Sequence, residues 1–168
     1  SPLPGYCCGM LTRRRFLATS AATIALPTIL PRSVFGANEK VVTGHIGVRN
    51  QGTNNLKELL DHAVAVCDVD RAVLAKAASL VESKHGSCLT YGDYRQLLDN
   101  RDIDAVVITT PDHWHAQMTV DACQACKDVY CDKPLTLTVA EGRRIVDVSR
   151  ATGRFVLTCS QQRSYARY

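Results

Sequence analysis

The sequence predicts a doubly wound α/β fold, a parallel sheet with helices on both faces. Three observations carry this. The candidate strands are apolar at almost every position rather than at alternate ones, the pattern of strands buried on both sides. They alternate with helix-like segments across short connections. The 168 residues are 46% hydrophobic and 21% charged, which suits one globular domain and excludes collagen-like or disordered chains.

The elements follow in order. Residues 41–48 form a β-branched run that leads into a polar turn containing glycine, and a helix is expected near 54–60. Residues 63–69 (AVAVCDV) read as a second apolar strand. The next segment, 71–84, repeats Val73, Leu74, Ala77, Ala78, Leu80 and Val81 at helical spacing. A short strand at 88–91 precedes a small helix at 94–98. Residues 105–109 (AVVIT) have the composition of a buried strand, followed by a helix over 115–127. The pattern ends with a strand at 128–131, a helix at 139–152 and a last strand at 155–159. No internal repeat or low-complexity tract appears.

The charge has an address. Lys and Arg number 20 against 16 Asp and Glu, a formal net charge of +4. Residues 1–37 contain Arg13, Arg14, Arg15 and Arg32 and no acid, so residues 38–168 carry no net charge. A nucleic-acid partner thereby loses its electrostatic support. Residues 10–37 have the order of an export signal: three arginines, an apolar run over 16–30, then the small-residue stretch Val34-Phe35-Gly36-Ala37. The run contains Pro27 and is shorter than the ~20 residues of a membrane-spanning helix. Cleavage and export to the periplasm are therefore expected, with no stable span in the mature form. Retention as a signal anchor is the alternative. Thr12-Arg13-Arg14-Arg15-Phe16-Leu17 resembles a twin-arginine signal, against an ordinary Sec signal with a basic start. Residues 1–9 precede Met10 and read as upstream sequence, which sets Cys7 and Cys8 aside.

The chemistry gathers where strands end. The first strand runs into Gly47-Val48-Arg49-Asn50-Gln51-Gly52, where a dinucleotide fingerprint would read G-x-G-x-x-G. Gly47 and Gly52 fit, whereas Arg49 replaces the glycine that lets backbone approach a pyrophosphate. Two functional readings of Arg49 stand: it swings outward to pair with a phosphate, or it displaces the cofactor. A third reading has the two glycines serving only tight packing. Asp68 ends the second strand, 21 residues after Gly47, where an acid bonds the adenosine ribose hydroxyls. Such a carboxylate favours NAD over NADP, and nearby Arg71 blunts that preference. Asp70 is the better helix N-cap.

The fourth strand leads into Thr109-Thr110-Pro111-Asp112-His113-Trp114-His115, and the fifth into Cys131-Asp132-Lys133-Pro134. Together with V-x-x-G-H-I-G-V and Ser160-Gln161-Gln162-Arg163-Ser164, these segments resemble the N-terminal domain of the glucose–fructose oxidoreductase/inositol dehydrogenase (Gfo/Idh/MocA) family. The resemblance covers about residues 40–165. It implies a Rossmann domain binding NAD, with NADP as an alternative, and a sugar or polyol substrate. It places the phosphate turn at Gly47, Arg49, Asn50, Gln51 and Gly52, and the ribose acid at Asp68. Thr110, Pro111, Asp112 and His115 match the segment near the nicotinamide, and Asp132-Lys133-Pro134 matches the family's E-K-P with Asp for Glu. Lys133 is then the catalytic candidate, bonding the reacting oxygen, Asp132 and Lys133 are also candidate cofactor contacts, and Pro134 is a turn that is often cis. A rival in the same family is an NAD-dependent glycosidase; another is a non-catalytic nucleotide-binding module.

Two metal or redox readings are weaker. His113-x-His115 has no third ligand at a recognisable spacing. Cys123-Gln124-Ala125-Cys126 falls at a helix end, not at the start where thiolates are activated, and no second CxxC completes a zinc set. The family usually has glycine at the Cys126 position. Its members are about twice this length, with a second α/β domain that binds substrate and supplies the acid–base residues. Residues 38–159 are thus expected to be the nucleotide-binding domain and 160–168 the lead-in to a missing one. A homo-oligomer is compatible with the full-length enzymes of the family.

Overall fold

In the computed structural model, residues 40–160 are described; the leader over 10–37 and the lead-in beyond Ser160 lie outside them. Short β-branched and alanine-rich runs form six strands: β1 (Thr43–Ile46), β2 (Ala63–Cys67), β3 (Leu89–Tyr91), β4 (Ala105–Ile108), β5 (Asp128–Cys131) and β6 (Val156–Thr158). All pair in parallel, in the order β3-β2-β1-β4-β5-β6. This is the doubly wound arrangement expected, and its direction of winding reverses between β1 and β4. A crevice opens at the carboxyl ends of the strands beside such a reversal.

Five helices connect the strands: α1 (Gln51–Glu58), α2 (Arg71–His85), α3 (Tyr94–Asp99), α4 (Asp112–Gln124) and α5 (Val139–Thr152). Because successive strand side chains point to opposite faces, the sheet has two cores. One gathers Val48, Leu56, Ala63, Val66, Ala77, Ala78 and Val81, the inner faces of α1 and α2. The other joins Ile46, Cys67, Val106, Ile108, Val129 and Cys131 to α3, α4 and α5 through residues such as Leu97, Val120 and Ile145.

Local signals set the ends. Asp70 caps α2, its side chain accepting the N–H groups of Ala72 and Val73. Thr138 and Glu141 form a reciprocal capping box on α5. Two helices depart from their expected bounds. Gln51 starts α1 three residues early, and α4 runs from Asp112 to Gln124 rather than over 115–127. Beyond α4, Cys126 takes φ +61°, the left-handed conformation that glycine adopts freely. Lys127 follows, buried, donating through Nζ to the carbonyls of Asn100 (2.6 Å) and Ile103 (2.7 Å). Among the described residues no helix is long and apolar enough to cross a membrane.

Candidate functional site

The β1–α1 turn is built around two glycines. Gly47 has φ +80°, and a Cβ there would stand 2.7 Å from the carbonyl oxygen of Thr109 at the end of β4. At Gly52, in the first turn of α1, a Cβ would overlap the Gly47 carbonyl oxygen. Glycine at both positions lets helix, turn and neighbouring strand close together. Thr53 tightens the turn by donating its hydroxyl to the Val48 carbonyl at 2.7 Å. Asn55, buried, donates to the Thr109 hydroxyl at 3.1 Å and so ties α1 to the end of β4. Its spacing within the polar run of α1 gave no warning of that role.

Arg49 turns outward. Its guanidinium meets the Asp70 carboxylate at 2.6 Å, with both side chains open to solvent. It borders a cavity of about 180 Å³ against α2, together with Asn50, Thr53, Val73 and Lys76. Asn50 takes φ +46° immediately before α1. Gln51 donates to the Asn55 side chain at 2.9 Å. Asp68 faces the same turn: one oxygen accepts the Val48 N–H at 3.0 Å and the other the Asp70 N–H at 2.9 Å.

A larger cavity of about 390 Å³ lies across the switch point, lined by Gly47, Asp68, Val69, Thr110, Pro111 and Trp114 among others. Thus residues from the ends of β1, β2 and β4 share one wall. His115 ties the turn after β5 to Thr110, one of the residues that line this wall. That ring is only 1% exposed, with Nδ1 2.6 Å from the Pro134 carbonyl and Nε2 2.8 Å from the Thr110 carbonyl. His115 therefore braces the two loops, its ring nitrogens within hydrogen-bond distance of both carbonyls. The exposed ring of His113 stands beside Trp114, so the two histidines do not converge on one point.

Asp132 is buried and accepts the Lys133 backbone N–H at 2.8 Å. Its own N–H donates to the Ile108 carbonyl, extending the β4–β5 ladder by one bond. Lys133 itself is exposed at the sheet's carboxyl edge, and the Lys133–Pro134 bond is cis. Asp112 lies exposed in the first turn of α4.

Three of the buried thiols are quiet. Cys123 is fully buried and burial pushes it up to about 11, while Cys67 and Cys131 are pushed up to about 12. Protonated thiols at neutral pH are poor nucleophiles and poor metal ligands. The features that remain are a glycine turn a Cβ would fill, an acid at the end of β2 and a cavity spanning the switch point. They fit the adenosine and diphosphate of a dinucleotide, with Arg49 as the one departure.

Comparison with known proteins agrees with this geometry. Residues 35–159 match the Gfo/Idh/MocA family, described as an oxidoreductase family with an NAD-binding Rossmann fold. An alpha-N-acetylgalactosaminidase from Shewanella oneidensis is 32% identical over 157 residues, covering 86% of this chain and 34% of that protein. An inositol 2-dehydrogenase from Salmonella typhimurium is 29% identical over 127 residues, covering 73% of this chain and 37% of its own length. The crystal structure of myo-inositol 2-dehydrogenase from Lactobacillus plantarum superposes with a TM-score of 0.67 at 26% identity, over 76% of this chain and 38% of that one. The chain thus spans about a third of the length of the curated relatives it matches.

Proposed function

The chain belongs to the Gfo/Idh/MocA family of NAD-binding oxidoreductases, and from that premise we propose that it is the nucleotide-binding part of an exported sugar or cyclitol dehydrogenase. The observation that carries the reading is the shared cavity wall formed by Gly47, Asp68, Thr110 and Pro111, joined through His115 to the turn that presents Lys133. Gly47 and Gly52 admit the diphosphate, and Asp68 bonds the ribose. A bound nicotinamide supplies the hydride acceptor or donor. The Lys133 ammonium would donate a hydrogen bond to the substrate oxygen and stabilise the alkoxide charge that forms there when the hydroxyl proton passes to a general base, charge that the new C=O bond takes up as hydride leaves the carbon for the nicotinamide.

The leader supports the remaining claim. NAD is scarce outside the cytoplasm, so an exported enzyme must carry its cofactor with it. A twin-arginine pathway, which passes folded proteins, meets that need. Recovery of NAD on denaturing the secreted protein is expected, and its absence would count against export in the loaded state.

In the full-length enzyme, Lys133→Ala is expected to lower turnover by at least about a hundredfold while leaving NAD affinity, measured by calorimetry, unchanged. Equal loss of both would mean that Lys133 holds the turn instead of the substrate. A second reading is favoured by the alpha-N-acetylgalactosaminidase at 32% identity: an enzyme that oxidises, eliminates and re-reduces a glycoside with no net redox change. Release of nitrophenol from a nitrophenyl N-acetylgalactosaminide without consumption of added NAD selects it. Steady NADH production from a free polyol selects the dehydrogenase.

A further inference from the structure

We propose that Arg49 is a cofactor-selecting residue: its guanidinium exchanges Asp70 for the 2′-phosphate of NADP(H), so that the site takes NADP(H) as well as NAD(H). The inference rests on the dinucleotide site proposed above and concerns which dinucleotide that site accepts.

Arg49 reaches away from the phosphate turn. It occupies the position of the fingerprint's middle glycine, yet its side chain does not fold over the phosphate turn. It reaches sideways to Asp70, the first residue of the α2 cap. Asp68 lies between these two partners along the chain. One of its oxygens holds the N–H of Val48, next to Arg49, and the other holds the N–H of Asp70 itself. Residues 48–49 and 68–70 are therefore one hydrogen-bonded cluster, and its acid is the one that marks the ribose edge. A substituent on the ribose 2′ oxygen would enter beside the Arg49 guanidinium.

Exchange at that place is cheap. The pair is a surface one, with side chains 64% and 40% exposed, and such pairs contribute little in water. A phosphate dianion offers arginine a bidentate, charge-assisted contact that is stronger than a single exposed carboxylate bond. Asp70 loses little on releasing Arg49, because its other oxygen still caps α2 through Ala72 and Val73. Those same N–H groups are the main reason that its carboxyl is held below the usual range. Lys76, which borders the small cavity beside Arg49, adds positive charge on the same side. Against this stands the Asp68 carboxylate, which repels a 2′-phosphate. Both its oxygens already accept backbone N–H bonds, so part of its charge is neutralised.

The test is calorimetric titration of the full chain with NAD, NADP, 5′-AMP and 2′,5′-ADP, for the wild type, Arg49→Gln and Asp70→Asn. Asn retains the cap, and unchanged unfolding midpoints confirm that both variants fold. The wild type is expected to bind both dinucleotides within about tenfold of each other. Arg49→Gln is expected to weaken NADP and 2′,5′-ADP by about tenfold and to spare NAD and 5′-AMP. Asp70→Asn is expected to tighten NADP several-fold, because the competitor for Arg49 has gone. If Arg49→Gln weakens NAD and NADP alike, the guanidinium serves the diphosphate and the inference is overturned. If the wild type binds NAD but not NADP, the inference fails while the site stands. If neither binds, the dinucleotide site itself is wrong.

Discussion

His45 shows how one residue can couple the sheet to pH. It is 1% exposed in the middle of β1, with Nε2 3.2 Å from the Thr43 hydroxyl and no partner for Nδ1 among the described residues. Burial lowers its pKa from 6.5 to about 4. The unfolded chain therefore binds more protons than the folded one between those values, and stability falls as pH drops through that window. At pH 7 the contribution is complete; near pH 4 roughly 3 kcal/mol has been lost. Denaturant titrations at pH 7.5 and 4.5 should show this loss, and His45→Leu should remove most of it. A His45→Leu protein with the same pH dependence would assign the acid sensitivity elsewhere. Nothing in the sequence marked His45, because burial of a lone histidine depends on which neighbours cover it. Asp70 was legible as a cap, since capping is local chemistry. The double grip of Asp68 on the β1 turn was not, because it joins residues 20 apart.

At the scale of elements, the order of strands and helices was readable from apolar runs, and the parallel pairing followed from the alternation. The helix starts were less legible, for a physical reason. Gln51-Gly52-Thr53-Asn54 has the composition of a turn, and glycine is a poor helix former. Yet the first turn of α1 needs Gly52, because the Gly47 carbonyl lies where a Cβ would be. Tertiary packing overrides propensity there. Likewise the exposed segment Asp112-His113-Trp114 hid the start of α4, whose buried face begins at His115. Gly52→Ala tests the first point. The methyl group meets backbone, which cannot rotate away, so α1 must shift outward at a cost of about 3 kcal/mol or more. The shift also spreads the phosphate turn, so NAD binding should fall together with the unfolding midpoint. A variant of unchanged stability would mean that the helix can move freely against β1.

At the scale of the whole molecule, the proposed site draws on both sides of the sheet's reversal. Gly47 and Asp68 belong to the β1–β2 side, Thr110 and Lys133 to the β4–β5 side, and His115 fastens the two loops of the latter side together. A ligand held by both sides is bound by the folded sheet and by neither side alone, so its binding energy is added to that of folding. At a hundred times its Kd, NAD should therefore raise the unfolding free energy by about 2.7 kcal/mol, seen as a single shifted transition rather than two. Lys133→Ala should keep that shift, since Lys133 is assigned to the substrate. His115→Phe should shrink it: the ring's volume remains, but the bonds to Pro134 and Thr110 are gone, and the two loops no longer hold their spacing. If NAD split the transition in two, the nucleotide would be bound by one side of the sheet alone, and the cavity across the switch point would not be its seat.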